Sequence, residues 1–128
     1  MSAVQINPLP LLFATLPSGQ FGVVDLDFQP LTRDGRKNAE IHRLYGPEQT
    51  GPDGPAAALV RYLPGASAQT HRHLGNELIY VISGELETEA GVHPPGSLLS
   101  MDPNSVHTPR SPKGCLALVV WEQPVRPL

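Results

Sequence analysis

Two histidines and a glutamate within seven residues form the strongest chemical pattern in the sequence. His71 and His73 are two residues apart in a segment with strand character, so their side chains leave the same face, with backbones about 7 Å apart. The turn signal Gly75-Asn76 predicts that Glu77 lies on the adjacent antiparallel strand, beside the two histidines. Two nitrogen donors and one anionic oxygen suit iron, manganese, nickel, cobalt or zinc better than calcium or magnesium.

The elements that must position these residues are short apolar runs separated by turn signals. The 12 glycines and 15 prolines are spread between the runs, which favours many strands over a few long helices. The predicted strands are 40–45, 57–63, 67–73, 78–82, 85–89, 97–101 and 115–121. Strands at this spacing are typical of a sandwich or closed barrel. The sequence therefore predicts an all-β fold without helices, in which residues 46–55 form a turn-rich loop.

The length of the chain, 128 residues, predicts one compact domain. Few regular patterns occur before residue 39, although residues 21–28 are a candidate edge strand. We therefore interpret residues 1–38 as an N-terminal arm that packs on a barrel formed by residues 39–128.

The histidine and glutamate pattern also matches a known motif. From Gly65 to Gly84 the sequence has a glycine, five residues, His-x-His, three residues, a glutamate, six residues and a glycine, and this segment resembles the first cupin motif. The segment from Pro103 to His107 resembles the second cupin motif, which supplies one further histidine. Asn104 stands where a glycine is usual, and asparagine tolerates a left-handed turn better than most residues.

The segments that flank the motifs narrow the resemblance. Residues 57–65 and 96–115 are similar to the ChrR-like cupins, which include the sensory domain of ChrR-type anti-sigma factors and small relatives of acetylacetone-cleaving dioxygenases. The resemblance covers about residues 39–122. It implies a double-stranded β-helix, the jelly-roll barrel of RmlC-like cupins, and usually a homodimer. It also implies one divalent transition metal ion (iron, zinc, manganese or nickel) with the ligands His71, His73, Glu77 and His107.

Two functions follow from this resemblance. One is a metal-dependent enzyme of the dioxygenase type that acts on a small diketone-like or hydroxyketone-like ligand, with Glu77 as a ligand or as a candidate base. The other is a non-catalytic module in which zinc, held by all four side chains, acts as a sensor. The identity of the metal would separate the two.

Several other residues have open interpretations. Strand alternation puts Arg61 on one face with Leu59 and Leu63, so it either points into the barrel as an anion partner or pairs with a carboxylate at the rim. His93 is predicted to be a solvated loop residue, and the facing of His42 is open. Four further side chains either line the pocket or belong to the core: Tyr62, Tyr80, Met101 and Trp121.

Composition restricts the partners and the compartment. The formal charge of −3 argues against nucleic acid, whose phosphates require a surplus of basic residues. The apolar segment 9–16 follows no basic residue and is shorter than the roughly 20 residues that span a bilayer, so neither a signal peptide nor a membrane helix is predicted. The single cysteine, Cys115, is expected in the core, which fits the cytoplasm.

Overall fold

A computed structural model describes residues 27–32 and 35–128 of the chain. Within these residues the elements are twelve strands and one short helix, α1 (Pro47–Thr50). The strands are β1 (Gln29–Pro30), β2 (Lys37–Tyr45), β3 (Ala56–Ser67), β4 (His71–Arg72), β5 (Glu77–Gly84), β6 (Leu86–Thr88), β7 (Gly91–His93), β8 (Leu98–Met101), β9 (Val106–His107), β10 (Arg110–Ser111), β11 (Cys115–Trp121) and β12 (Arg126–Pro127).

The strands form two antiparallel sheets. In the larger sheet the order is β7-β6-β10-β3-β11-β5-β8, and β2 joins it by pairing with β3 and β1. The smaller sheet has the order β12-β4-β9. Together the sheets curl into a jelly-roll barrel, so the predicted all-β fold is confirmed.

Alternating burial explains why these segments form strands. In β11 the side chains of Cys115, Ala117 and Val119 are buried, whereas the residues between them are partly exposed. The inward side chains of β3, β5 and β11 pack into one core. Removing a valine-sized or leucine-sized side chain from water contributes about 1.5–3 kcal/mol. The barrel therefore depends on the inner faces of its longest strands.

The turn-rich loop contains one helical turn, so the prediction of a fold without helices was wrong at this point. Helix α1 starts with Pro47, whose fixed φ suits the first helical position. The backbone N–H of Gly46 donates to the side-chain oxygen of Gln49 at 2.9 Å, which stabilises the start of the turn. A helix of four residues is too short to produce a hydrophobic period in the sequence.

Two histidines outside the motifs have defined surroundings. His93 is half-buried at the end of β7, and its Nε2 lies 2.8 Å from Thr88 Oγ1. The prediction of a solvated loop residue was therefore wrong, because β7 pairs with β6 and brings His93 beside Thr88. His42 is half-buried on β2, with its Nδ1 3.0 Å from the Asp27 carbonyl oxygen.

Most of the predictions for residues 1–38 concern residues that the structure does not describe. Most of the candidate edge strand 21–28 lies outside the described residues, as does the apolar segment 9–16. Immediately after the segment 21–28, Gln29 of β1 pairs with Ile41 of β2. The division into an arm, 1–38, and a barrel, 39–128, stays a prediction. In the part of the chain that the structure describes, no helix has the length and apolar character needed to cross a membrane.

Candidate metal centre

Two sheets and one loop position the four residues of the motifs. His71 of β4 and His107 of β9 are direct cross-strand partners in the smaller sheet. His73 follows β4 and is fixed because its backbone N–H donates to the Ser105 carbonyl oxygen at 2.9 Å. Glu77 is the first residue of β5 in the larger sheet. The four side chains therefore meet between the two sheets.

The four side chains converge on a common point inside the barrel. One donor atom of each residue lies within 4.8 Å of all the others. All four side chains are buried, with exposed fractions of 2% for His71, 1% for His73, 4% for Glu77 and 7% for His107. Burying polar groups is costly without compensating partners, and donor atoms this close together could hold one metal ion.

Backbone contacts fix which ring nitrogens face this point. His71 Nδ1 lies 2.9 Å from the Gln69 carbonyl oxygen, and His73 Nδ1 lies 3.1 Å from the Ser105 carbonyl oxygen. A carbonyl oxygen only accepts, so each Nδ1 carries the proton. In the neutral ring the Nε2 atom then offers a lone pair to the centre of the cluster.

The pair formed by His73 and Glu77 is a close contact between two buried polar atoms. His73 Nε2 lies 2.7 Å from Glu77 Oε2, yet among the described residues neither atom makes a hydrogen bond. A buried polar atom left in this way costs about 1–3 kcal/mol. Both atoms fit instead the position of ligands to one shared cation.

Burial keeps two of the imidazoles neutral. Loss of solvent lowers the pKa of His71, with a smaller opposing effect from the hydrogen bond to Gln69. Loss of solvent, followed by repulsion from His71, His73 and Arg36, lowers the pKa of His107 to about 3. Neutral imidazole is the form that binds metal ions, so at neutral pH both rings are ready to act as ligands.

A tight turn before β9 supports His73. Asn104 has a φ of 74°, the left-handed conformation expected where a glycine is usual. Its backbone N–H donates to the His73 carbonyl oxygen at 2.7 Å, and the hydroxyl of Ser105 donates to the Asp102 carbonyl oxygen at 2.6 Å. This turn holds Ser105 in position to orient the His73 ring.

Two neighbouring cavities share part of their walls, and one of them borders the cluster. The inner cavity, of about 10 Å³, borders His71, Glu77 and His107, and a volume of this size holds about one water-sized particle. The outer cavity, of about 180 Å³, opens towards α1 and the 46–55 loop. Arg36 and Trp121 line both cavities, so these two side chains form the wall between them.

A model of the ChrR cupin-like domain matches residues 23–126. The chain belongs to the ChrR cupin-like family. No curated protein matches this cupin significantly.

Solved structures share the fold of this cupin at low sequence identity. An acetylacetone dioxygenase from Acinetobacter johnsonii has a TM-score of 0.71 at 12% identity, over 100% of this chain and 85% of its own. The polyketide cyclase RemF from Streptomyces resistomycificus has a TM-score of 0.66 at 23% identity, over 81% of this chain and 80% of its own. A chain of the complex of Rhodobacter sphaeroides SigE with the anti-sigma ChrR has a TM-score of 0.61 at 21% identity, over 76% of this cupin and 49% of that chain.

Arg36 is a residue of the site that sequence reasoning missed. It lines the inner cavity together with Tyr62, and its positive charge contributes to the lowered pKa of His71 and His107. In the sequence Arg36 belongs to a polar stretch with no periodicity. No local signal could have found it, because its position depends on the packing of this stretch against the barrel.

The predicted hairpin between His73 and Glu77 was wrong. Strand β5, which begins at Glu77, pairs with β8 and β11, whereas β4 pairs with β9 and β12. The turn at Gly75 passes from one sheet to the other, and a Cβ at this position would lie 2.9 Å from Glu122 Oε1. Glu77 thus reaches the histidines across the barrel.

Arg61 does not point into this cupin's barrel. Its Nε donates to Glu40 Oε1 at 2.8 Å, and its guanidinium carbon lies 4.1 Å from the centre of the Phe28 ring. Its neighbour Tyr62 is buried and lines the inner cavity, so strand alternation turns Arg61 outward. Of the two interpretations offered, pairing with a carboxylate is correct and the interior position is wrong.

The other candidate pocket residues occupy three kinds of position: the cavity wall, the core and the surface. Tyr62 and Trp121 line the inner cavity, Met101 packs against the core, and Tyr80 is 43% exposed. Cys115 is buried as expected, and burial raises the pKa of its thiol.

Proposed function

We propose that this cupin binds one divalent transition metal ion through His71, His73, Glu77 and His107. The observation that carries this proposal is the close approach of His73 Nε2 and Glu77 Oε2, 2.7 Å apart, without a hydrogen bond within the described residues. An ion bound between them would satisfy both atoms at once. Three imidazole nitrogens and one carboxylate oxygen fit iron, manganese, nickel or zinc.

We further propose that the bound ion serves a metal-dependent enzyme of the dioxygenase type, which acts on a small diketone-like or hydroxyketone-like substrate. The supporting feature is the outer cavity, of about 180 Å³, which adjoins the cavity beside the ligands and has apolar walls that include Leu31, Ile41 and Val125. The fold shared with an acetylacetone dioxygenase agrees with this substrate class. When bound, the ion would supply Lewis-acid and redox chemistry. The protein would orient the substrate and exclude water.

The test combines metal analysis with oxygen consumption. Protein purified without chelator is analysed for metals, and oxygen uptake is then measured with small diketones and hydroxyketones. Iron at one equivalent with substrate-dependent uptake supports the enzyme. Absence of any bound metal after reconstitution with iron, manganese, nickel and zinc in turn would contradict the metal site itself.

A zinc-dependent sensor module is the second candidate function. Four buried protein ligands and an inner cavity of about 10 Å³ leave little space for a substrate at the ion, which is the arrangement of a closed zinc site. The fold shared with a chain of the SigE–ChrR complex agrees with this function. Zinc as the single metal, without oxygen uptake, would favour the sensor over the enzyme.

We also propose that the protein is a cytoplasmic homodimer. Strand β8 is an edge of the larger sheet, and its Leu98 is 66% exposed opposite Tyr80, which is 43% exposed. Leu78, two residues before Tyr80, is 42% exposed on the same outer face. Exposed apolar side chains in one patch are typical of an interface. Light scattering should show a dimer, and Leu98→Lys should give a monomer that still binds metal.

A further inference from the structure

The indole of Trp121 faces the inside of the barrel at the end of β11. The side chains that precede it at every second position, Cys115, Ala117 and Val119, are buried, and strand alternation turns Trp121 to the same side. Trp121 is half-buried and packs against the core. It is therefore the largest inward side chain of β11.

The strand register puts this indole beside one of the proposed ligands. Trp121 is the direct antiparallel partner of Glu77 on β5 and of Ala56 on β3. Direct partners point to the same face of a sheet, with Cβ atoms about 4.5–5.5 Å apart. Ala56 has a small side chain and lines the outer cavity. The indole therefore adjoins both the Glu77 side chain and the outer cavity.

The core resists enlargement of the inner cavity on its other sides. The apolar walls of this cavity include Val60, Ile79 and Val119, which are buried between β3, β5 and β11. Interiors are close-packed, so moving these side chains would require the strands to move. Trp121, in contrast, also borders the outer cavity of about 180 Å³. A rotation of its indole into that space requires no strand to move.

We propose that Trp121 selects the ligands of the proposed metal ion by size. A ligand of about the size of water fits the inner cavity of about 10 Å³ while the indole is in place. A larger ligand, such as a diketone that binds through two oxygens, reaches the ion only when the indole turns away. The inference rests on the proposed metal site and adds to it a residue that determines specificity.

The test compares a diatomic ligand with a larger one on the same ion. Protein loaded with iron(II) in the absence of oxygen is titrated with nitric oxide or with pentane-2,4-dione, and the visible absorption of the iron reports binding at the ion itself. Trp121→Leu removes the ring system and joins the two cavities, so the dione should bind at least about tenfold more tightly and faster. The affinity for nitric oxide should stay within about twofold.

Matched variants separate this role from a structural one. Trp121→Phe keeps a smaller aromatic ring and should give an intermediate gain for the dione. Tyr45→Leu makes a similar change at an exposed position and should change the affinity for neither ligand. Thermal unfolding and iron content after titration show whether the fold and the ion are intact in each variant. If Trp121→Leu fails to fold, the ratio of the two affinities in Trp121→Phe and in the unmodified protein decides.

The outcomes also separate this inference from the proposed metal site. No gain for the dione in folded Trp121→Leu, or an equal gain for both ligands, would overturn the size selection while iron is still bound at one equivalent. Arg36 shares the wall with Trp121, and a gain in Arg36→Ala without one in Trp121→Leu would assign the selection to Arg36 instead. If iron does not bind, cobalt(II) replaces it in the same titrations. If neither ion binds, the metal site fails and the size selection fails with it.

Discussion

The inner and outer faces of strand β3 show how differently the same charged group can be used. Tyr62 faces inward, where it lines the inner cavity together with Arg36 beside the four clustered side chains. Its neighbour Arg61 faces outward, where its side chain is 45% exposed and pairs with Glu40. Water screens the outer pair, so it contributes little, whereas the charge of Arg36 in the partly buried cavity contributes to the lowered pKa of His71 and His107.

The clustered histidines and His42 also differ in their surroundings. His71, His73 and His107 are buried, and one ring nitrogen of each lies within 4.8 Å of the others. His42 is half-buried on β2, where it lies beside Phe28 and Asp27. Residue type alone therefore does not distinguish a ligand from a packing residue, and substitutions on each face should have different effects.

The largest effect is expected from His73→Ala. This change removes one of the proposed ligands, so the affinity for the ion should fall by about 100-fold or more. The metal content of the purified variant, measured by elemental analysis, should fall well below one equivalent, while circular dichroism shows a retained fold. His42→Ala is the matched control and should keep the ion. If the His73 variant holds one ion tightly, the ligand assignment is wrong.

A strong pH dependence is expected for the metal-free protein. The pKa values of His71 and His107 are lowered in the folded state, that of His107 to about 3. The unfolded chain takes up protons below about pH 6.5 while the folded state does not, so stability is complete above that pH and is lost as the pH falls towards about 3. The slope should be about 1.4 kcal/mol per pH unit for each imidazole.

Urea unfolding between pH 7 and pH 4 measures this loss. His107→Gln removes one of the two titrating groups and should make the dependence shallower. A pH dependence of unchanged slope in this variant would contradict the assignment.

Glu77→Gln should have opposite effects on metal binding and on the stability of the metal-free protein. The amide N–H₂ can donate to His73 Nε2, which the carboxylate cannot do, so the metal-free variant should be more stable by about 1–2 kcal/mol. Metal binding should weaken because the negative charge is lost. Thermal unfolding with and without metal measures both effects. Glu40→Gln on the outer face should not stabilise the protein.

The smallest effect is expected from Arg61→Gln. This change removes the exposed ion pair with Glu40 and the contact with Phe28, which together contribute less than about 1 kcal/mol of unfolding free energy. Metal content should stay at one equivalent. A loss of metal here would show that the two faces of β3 are coupled.

The sequence predicted most strands of the barrel but not all the contacts of the site. Strand β11 has the predicted bounds, Cys115–Trp121, because an uninterrupted apolar run bounded by turn residues reports directly on a buried strand. The His-x-His spacing and Glu77 stood out because they follow a local motif. The passage of Glu77 to the other sheet was not predicted, since a turn signal gives a reversal but not the strand to which the chain returns.

The position of Arg36 was beyond sequence reasoning for a different reason. Its neighbours 32–38 have no hydrophobic period, and the adjacent Gly35 packs closely on Gln69, 34 residues further along the chain. Arg61, in contrast, lies on a regular strand, where alternation correctly offered two faces but could not say which face was inner. Tertiary packing decided both positions.

The direct pairing of His71 with His107 has a consequence for the lifetime of the folded barrel. These residues are 36 positions apart in the chain, so an ion bound to both would link two distant segments as a staple does. Separation of β4 from β9 would then require at least one coordination bond to break first. The rate at which a chelator removes the ion should therefore report how often β4 and β9 separate.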